Sequence, residues 1–335
     1  MSTLTFPLRE LRREVAALAT LRADSSLPIC ANILVESTSD GATLRRQTMD
    51  AAMTCKVPAS GGPCERFTVP ADRLSDILSL ADGDEVELEP QGGLVALRYG
   101  SQRYQLATLP ADDYPCLRAE EPCGGFRIEA DALAAAVKRM AWAVPGKDHR
   151  RVLMGARLEQ HGDGVRMAGT DGKRLARVAF PVAEVQPFPP VVVSPPMLAE
   201  MLRAAGNVEA VVQIVGEGRA TTLTVGSRVI WASNVEGRFP DLDAVLPKGK
   251  PSMSLAFSNV ALVQAVKRAA VTCDDKNKAV ILTVDSDGVR LDSSAADVGV
   301  GVVTVKAEAE GTGEWAFNAA FLLDALGNTG AASLR

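Results

Sequence analysis

The chain has 335 residues, 47% of them hydrophobic and 23% charged, so it can bury ordinary cores in two or three domains and is neither a stapled mini-protein nor broadly disordered. With 36 basic and 41 acidic residues the net charge is −5, which excludes a surface coated with cations for tight nucleic-acid binding but leaves room for a local basic face. Cysteines at 30, 55, 64, 116, 123 and 273 contain no C-x-x-C pair, so neither a zinc ribbon nor a thioredoxin-like site follows from them, and idle thiols are expected.

The N-terminus, MSTLTFPLRELRREV, is charged and periodic rather than an apolar leader, and no apolar run approaches the ~18 residues of a membrane span. A reducing cytoplasm and no membrane partner are expected. A helix over 8–18 is followed by strand-like LPICANILVE (27–36), a hairpin at Asp40-Gly41, and a strand running into a helix at VPADRLSDIL (69–78). Turn-formers at AEEPCGG (119–125) mark a joint. The cycle then restarts, with a helix over 130–144 whose Leu133, Val137, Met140 and Val144 make one apolar stripe. A hairpin at Asp163-Gly164 and a strand-to-helix segment at VSPPMLAEML (193–202) follow. A second joint at LPKGKPS (246–252) precedes a third cycle: a helix over 258–273, Asp287-Gly288, and WAFNAAFLLDAL (315–326).

The period is 124 residues. Leu74, Leu198 and Leu322 keep it, as do Leu78, Leu202 and Leu326, and the acids Asp76, Glu200 and Asp324; the three Asp-Gly turns are spaced by 123 and 124. The expected architecture is an α+β domain used three times, each copy made of two strand-helix-strands halves. Ser194 and Asn318 are placed to cap helices, and Pro70 and Pro196 lie near first turns. Only GNTGAASLR follows the second helix of the third copy, so that copy is expected to be C-terminally shortened.

Several chemistries are disfavoured. Only His149 and His161 are available for a histidine-based site. The run from Gly164 to Lys173 mimics a phosphate loop, but Lys173 is followed by Arg174 rather than Ser or Thr. The acid pairs Asp112/Asp113, Asp241/Asp243, Asp274/Asp275 and Asp285/Asp287 suit turns and caps better than Mg²⁺. Three Trp and three Tyr leave little material for base stacking. Charge placement carries more: the six helical segments sum to +3 and the remainder to −8, with Arg12, Arg13, Lys138, Arg139, Lys267 and Arg268 on helices. Lysines and arginines on solvated helix faces and a basic lining turned to a polyanion both fit that split.

The three-fold repeat, together with LPICANILVE, VPADRLSDIL, SQRYQLATLPADDYP (101–115), LMGARLE (153–159), TDGKRLA (170–176), GRFPDLDAVLP (237–247) and WAFNAAFLLDAL, resembles the bacterial DNA sliding clamp family, the β subunit of DNA polymerase III, over essentially the whole chain. The resemblance implies a DNA clamp fold with domains at 1–122, 123–249 and 250–335, the last incomplete. It implies a ring-shaped homodimer that encircles double-stranded DNA without reading sequence. Such a ring tethers the polymerase III catalytic subunit, the clamp loader and other proteins bearing a clamp-binding motif. The chain would itself catalyse nothing, with no cofactor or metal, while serving a DNA-directed DNA polymerase (nucleotidyltransferase) complex. A clamp-like peptide scaffold or truncated clamp that no longer closes a ring is the alternative, and a nucleotide-handling enzyme built on the acid pairs is a third.

Carried residue by residue, the resemblance implies phosphate-facing Arg22, Arg73, Lys138, Arg139, Lys147, Arg150 and Arg151. It implies a peptide-binding groove of Leu153, Thr170, Gly172, Lys173, Arg174, Leu175, Pro240 and Val245. Arg103, Tyr104 and Leu106 of one subunit would meet Val271 and Thr272 of the other at the dimer interface. Three departures from the family pattern stand out: the segment ADVGVGVVTVKAEAEG carries only Asp297 early on, VSPPM lacks basic residues after the proline, and Asp24 sits near LPIC.

Overall fold

The computed structural model describes residues 3–22, 27–115, 120–249, 253–286, 288–329 and 333–334. Asp24, Cys116, Asp287 and Arg335 lie outside the described residues, as do residue 119 of the first expected joint and residues 250–252 of the second. The first copy runs β1 (Leu4–Pro7), α1 (Leu8–Ala19), β2 (Asn32–Thr38), β3 (Gly41–Gln47), β4 (Ala51–Val57), β5 (Ser60–Gly61), β6 (Phe67–Pro70), α2 (Ala71–Leu80), β7 (Glu85–Gln91), β8 (Leu94–Tyr99) and β9 (Gln102–Ala107). The second runs β10 (Pro122–Glu129), α3 (Ala130–Ala141), β11 (Ala156–His161), β12 (Gly164–Thr170), β13 (Leu175–Pro181), β14 (Glu184–Gln186), β15 (Val191–Val193), α4 (Pro195–Arg203), β16 (Glu209–Val215), β17 (Ala220–Val225) and β18 (Arg228–Ser233), and ends in the single turn α5 (Leu242–Val245). The third runs β19 (Ser254–Ser258), α6 (Asn259–Ala269), β20 (Ala279–Asp285), β21 (Gly288–Ala295), β22 (Gly299–Val305), β23 (Glu308–Glu310), β24 (Gly313–Asn318), α7 (Ala319–Asn328) and β25 (Ser333–Leu334). The strand-helix-strands half therefore recurs as the 124-residue period implies.

Helical periodicity decides which faces are covered. In α1, Leu8, Leu11, Val15 and Leu18 are buried, and in α2, Leu74 and Leu78. Arg12, read from sequence as part of a basic face, is instead turned onto α2: its Nε donates to the Leu78 carbonyl at 2.6 Å and its Nη2 to that of Ala81, satisfying carbonyls that a helix end leaves unpaired. Asn318 caps α7 as expected, accepting from the amides of Ala320 and Phe321 at 2.9 and 3.3 Å. Ser194 does not cap α4. Pro195 and Pro196 occupy the first two helical positions and carry no N–H, the Met197 amide is not bonded to the cap, and the Ser194 hydroxyl is buried without a hydrogen-bond partner among the described residues.

The repeated Asp-Gly pairs also act differently from a two-residue Asn-Gly-type turn. Gly41, Gly164 and Gly288 each open the second strand of their hairpin. A Cβ there would lie 2.4 Å from the Val57 carbonyl oxygen, 2.6 Å from that of Phe180 and 2.4 Å from that of Val305. Glycine is kept because the neighbouring strand passes too close for any side chain.

The chain divides into two compact units. The first comprises Met1–Val137, Gly155–Met167 and Ala179–Gly237. It contains a five-stranded sheet, β5-β1-β7-β8-β9, and a nine-stranded one, β14-β10-β16-β17-β18-β4-β3-β2-β6. The nine strands are continuous because β18 pairs antiparallel with β4, Arg228 opposite Cys55 and Ile230 opposite Met53, so the first two copies share one sheet. Beside that seam Glu14, only 2% exposed, accepts from Arg13 Nε at 2.8 Å and from Arg228 Nε at 2.6 Å.

The second unit comprises Lys138–Met154, Ala168–Val178 and Arg238–Arg335. Its sheets are β22-β21-β20-β24 and β23-β19-β25, over a core that includes Leu262, Val266, Val280, Leu282, Leu291 and Leu326. Here β25 pairs with β19, Phe257 opposite Leu334. In the first two copies β7 on β1 and β16 on β10 hold the corresponding place.

Candidate functional site

The turn between β12 and β13 is wired by its own side chains. Asp171 Oδ1 accepts from the amides of Lys173 and Arg174 at 2.8 and 3.0 Å, the Gly172 amide donates to the Thr170 hydroxyl at 3.0 Å, and that hydroxyl donates to the Arg174 carbonyl at 2.7 Å. Gly172 has φ +86, a left-handed value that explains glycine at this position. Burial pushes the Asp171 carboxyl up, but the two amides and the Arg174 guanidinium outweigh it and hold the group below the usual carboxylate range. Asp171 therefore stays ionised and keeps the turn rigid.

Arg174 is boxed in. Its guanidinium bonds Asp171 Oδ2 at 2.9 Å and Asp324 of α7, and lies 4.7 Å from the ring centre of Phe321 and 5.6 Å from that of Trp142. Beside the turn, a cleft of about 330 Å³ is lined by Arg150, Val152, Leu153, Arg238, Phe239 and Pro240. Arg150 links the two features: its Nη2 donates to the Asp171 carbonyl at 2.9 Å while its Nε bonds Asp148 at 3.0 Å. The hydrogen bonds from Arg150 hold Asp148 far below the usual carboxylate range.

Of the expected groove residues, Leu153 and Pro240 line the cleft, and Thr170, Gly172, Lys173, Arg174 and Leu175 form or flank the turn. Val245 stands 66% exposed on α5, whose N-cap Asp241 accepts from the Asp243 and Ala244 amides at 3.1 and 3.3 Å. Asp274 likewise holds a turn, through the amides of Lys276 and Asn277. Trp142, Phe321 and Asp324 were not placed at this site from the sequence, although WAFNAAFLLDAL holds the last two and Asp324 keeps the acid repeat with Asp76 and Glu200.

Arg22, Arg73, Lys138, Arg139, Lys147 and Arg151 are exposed and make no ion pair among the described residues. Lys138 and Arg139 occupy the last turn of α3, where the helix dipole favours cations. Arg150, grouped with them by sequence, is already committed to Asp148 and Asp171.

Among the described strands, β9 and β22 each end a sheet and have one edge without a strand partner. On β9, Arg103 and Tyr104 are exposed, Leu106 is half-buried, and the Tyr104 ring stacks on Tyr99 at 6.0 Å. On β22, Val300 and Val302 are 75% and 60% exposed, two apolar side chains on a segment whose sequence stands out only for its few acids. Val271 is 74% exposed, whereas the Thr272 hydroxyl is turned inward onto Ser293 Oγ at 2.7 Å.

Family models for the N-terminal, central and C-terminal domains of the DNA polymerase III beta subunit match residues 11–118, 127–241 and 243–334. The chain is 29% identical over 314 residues to the beta sliding clamp of Synechococcus elongatus, covering 89% of this chain and 82% of that relative. It is 28% identical over 305 residues to that of Proteus mirabilis, covering 90% and 83%. In structure it is similar to the DNA polymerase III subunit beta of Pseudomonas aeruginosa, with a TM-score of 0.92 at 24% identity over 99% of this chain and 91% of that one. The Thermotoga maritima beta subunit gives 0.89 at 23%, over 99% and 91%.

Proposed function

Because the chain belongs to the DNA polymerase III beta subunit family, the beta sliding clamps, we infer that it is a DNA replication processivity factor: a ring-shaped homodimer that encircles duplex DNA and holds the polymerase to it. The observation that carries this is the match of all three family domains, in order, onto the three structural copies. The protein is non-catalytic and serves, in this reading, as accessory subunit of a nucleotidyltransferase complex in the cytoplasm.

The domains are read as 1–122, 123–249 and 250–335. Retention is topological, so contacts with DNA need only be weak and screened. Arg22, Arg73, Lys138, Arg139, Lys147 and Arg151 are the cations we assign to phosphates; their exposure without ion pairs supports the reading. Arg150 is assigned instead to fixing the Asp171–Gly172 turn against the Leu153–Pro240 cleft. That cleft and turn would take short apolar peptides from the polymerase III catalytic subunit, the clamp loader and other clamp-binding proteins. At the dimer interface, Arg103, Tyr104 and Leu106 on β9 of one subunit would face Val271 and β22 of the other, with Val300 and Val302 supplying apolar area and Thr272 acting through its bond to Ser293.

Light scattering across micromolar concentrations tests the ring. A stable species of twice the chain mass, reduced to one chain by Val302→Glu, is expected. A monomer at every concentration would overturn ring closure and leave a groove-only scaffold.

A further inference from the structure

A second cleft, of about 310 Å³, lies in the first unit where α1, the C-terminal end of α4 and the β17–β18 turn meet. Its lining includes Arg13, Glu14, Glu200, Arg203, Ser227 and Arg228, none of which belongs to the groove, the edges or the basic residues assigned above. The two carboxylates are nearly inaccessible, Glu14 at 2% and Glu200 at 7% exposure, whereas the side chains of Arg13, Arg203 and Arg228 remain 65%, 49% and 29% exposed.

Glu14 bonds two arginines and Glu200 one. Glu14 takes the Nε of Arg13 and the Nε of Arg228; Glu200 takes Nη1 of Arg203 and the Thr20 hydroxyl at 3.2 Å. Among the described residues no other side chain bonds the guanidiniums of Arg13, Arg203 and Arg228, so each has N–H donors beyond those its carboxylate accepts from. Buried acids that fix guanidiniums and leave their outer N–H groups free are the arrangement by which a protein pre-positions arginines for an anion. Three guanidiniums on three separate elements call for an acceptor with more than the two oxygens of a carboxylate. Arginine's planar fork suits a phosphoryl group in particular.

We propose that this cleft is a phosphate-binding site in which Arg13, Arg203 and Arg228, with the Ser227 hydroxyl at the hairpin tip, hold a phosphoryl group. Glu14 and Glu200 are positioning residues. The phosphoryl group has two possible sources, a free phosphate compound or the backbone of duplex DNA, and the proposal does not depend on the processivity reading.

Titration of the full chain with pyrophosphate at low salt, followed by calorimetry, tests it. One-site binding is expected, weakened about tenfold for each arginine lost in Arg13→Gln and Arg203→Gln. Arg13→Gln leaves Glu14 its bond to Arg228 and should melt as the parent does, whereas Arg203→Gln leaves the buried Glu200 only the Thr20 hydroxyl, so its binding is read well below its own melting midpoint. Arg219→Gln, an exposed arginine outside this lining, should bind as the parent does. Absence of binding at millimolar pyrophosphate, or equal weakening by Arg219→Gln, would overturn the proposal. Displacement of pyrophosphate by blunt duplex DNA would support a backbone phosphate as the source, and failure to displace it a free one.

Discussion

Replacing Glu14 by glutamine should weaken the seam between the first two copies at neutral pH and leave it nearly unchanged in acid. The carboxylate accepts two charge-assisted hydrogen bonds, at 2.8 Å from Arg13 and 2.6 Å from Arg228. Hydrogen bonds to charged groups contribute about 1.5–3 kcal/mol each against about 0.5–1.5 for neutral ones. The Arg13 side chain is 65% exposed, so its share is largely screened, and the Arg228 bond dominates. The expected loss is about 2 kcal/mol. Burial alone would raise the Glu14 pKa, but hydrogen bonds and charge from Arg228 and Arg13 carry it below the ordinary 4.5. The unfolded chain therefore takes up the proton first. The stabilisation is complete above 4.5, and it disappears as the pH falls through the lower folded value. Urea denaturation of parent and variant, with hydrogen exchange read at the β4 and β18 amides, should show a gap at pH 7 that closes in acid. Equal midpoints at pH 7, or a gap that widens in acid, would refute the reasoning.

Gly41→Ala, with φ +145 and a Cβ placed 2.4 Å from the Val57 carbonyl oxygen, should destabilise the first copy by more than about 2 kcal/mol, whereas Gly93→Ala, with open space around it, should stay within about 0.5, both measured by thermal melting. Arg174→Lys keeps the charge but loses the planar fork between Phe321 and Trp142, so binding of a clamp-binding peptide should fall at least tenfold in fluorescence anisotropy. Burial pushes the Cys55 thiol up to about 12; at pH 8 iodoacetamide should label exposed Cys123 and spare Cys55 until the chain is denatured, as peptide mass mapping would show.

The repeat was legible because it is written in residues that answer to local rules. Leu74 and Leu78, Leu198 and Leu202, and Leu322 and Leu326 stand four apart by helix periodicity, Asn318 answers to cap chemistry, and glycine recurs at 41, 164 and 288 where a neighbouring carbonyl comes close. The six-helix pattern and the β12–β13 turn could be read in the same way. What stayed hidden depends on residues far apart in the chain. Nothing near Glu14 announces Arg228, and nothing near Arg174 announces Phe321 or Asp324. A surplus of positive charge on helices did not reveal that Arg12 closes α2 and Arg13 holds Glu14, since a side chain's partner is set by packing rather than composition. Ser194 misled because Pro196 takes away one of the two amides a cap hydroxyl can accept from, and the hydroxyl does not bond the remaining one, that of Met197. Val300 and Val302 were visible in sequence, but only sheet order shows that they lie on an edge strand.

The claim that the protein holds DNA by encircling it is tested most directly by retention. Labelled protein placed on a nicked circular plasmid by a clamp loader should elute with the DNA through gel filtration at moderate salt, and cutting the circle once with a restriction enzyme should release it. Equal retention on circular and linear DNA would contradict the account, because phosphate attraction rather than topology would then be holding the protein.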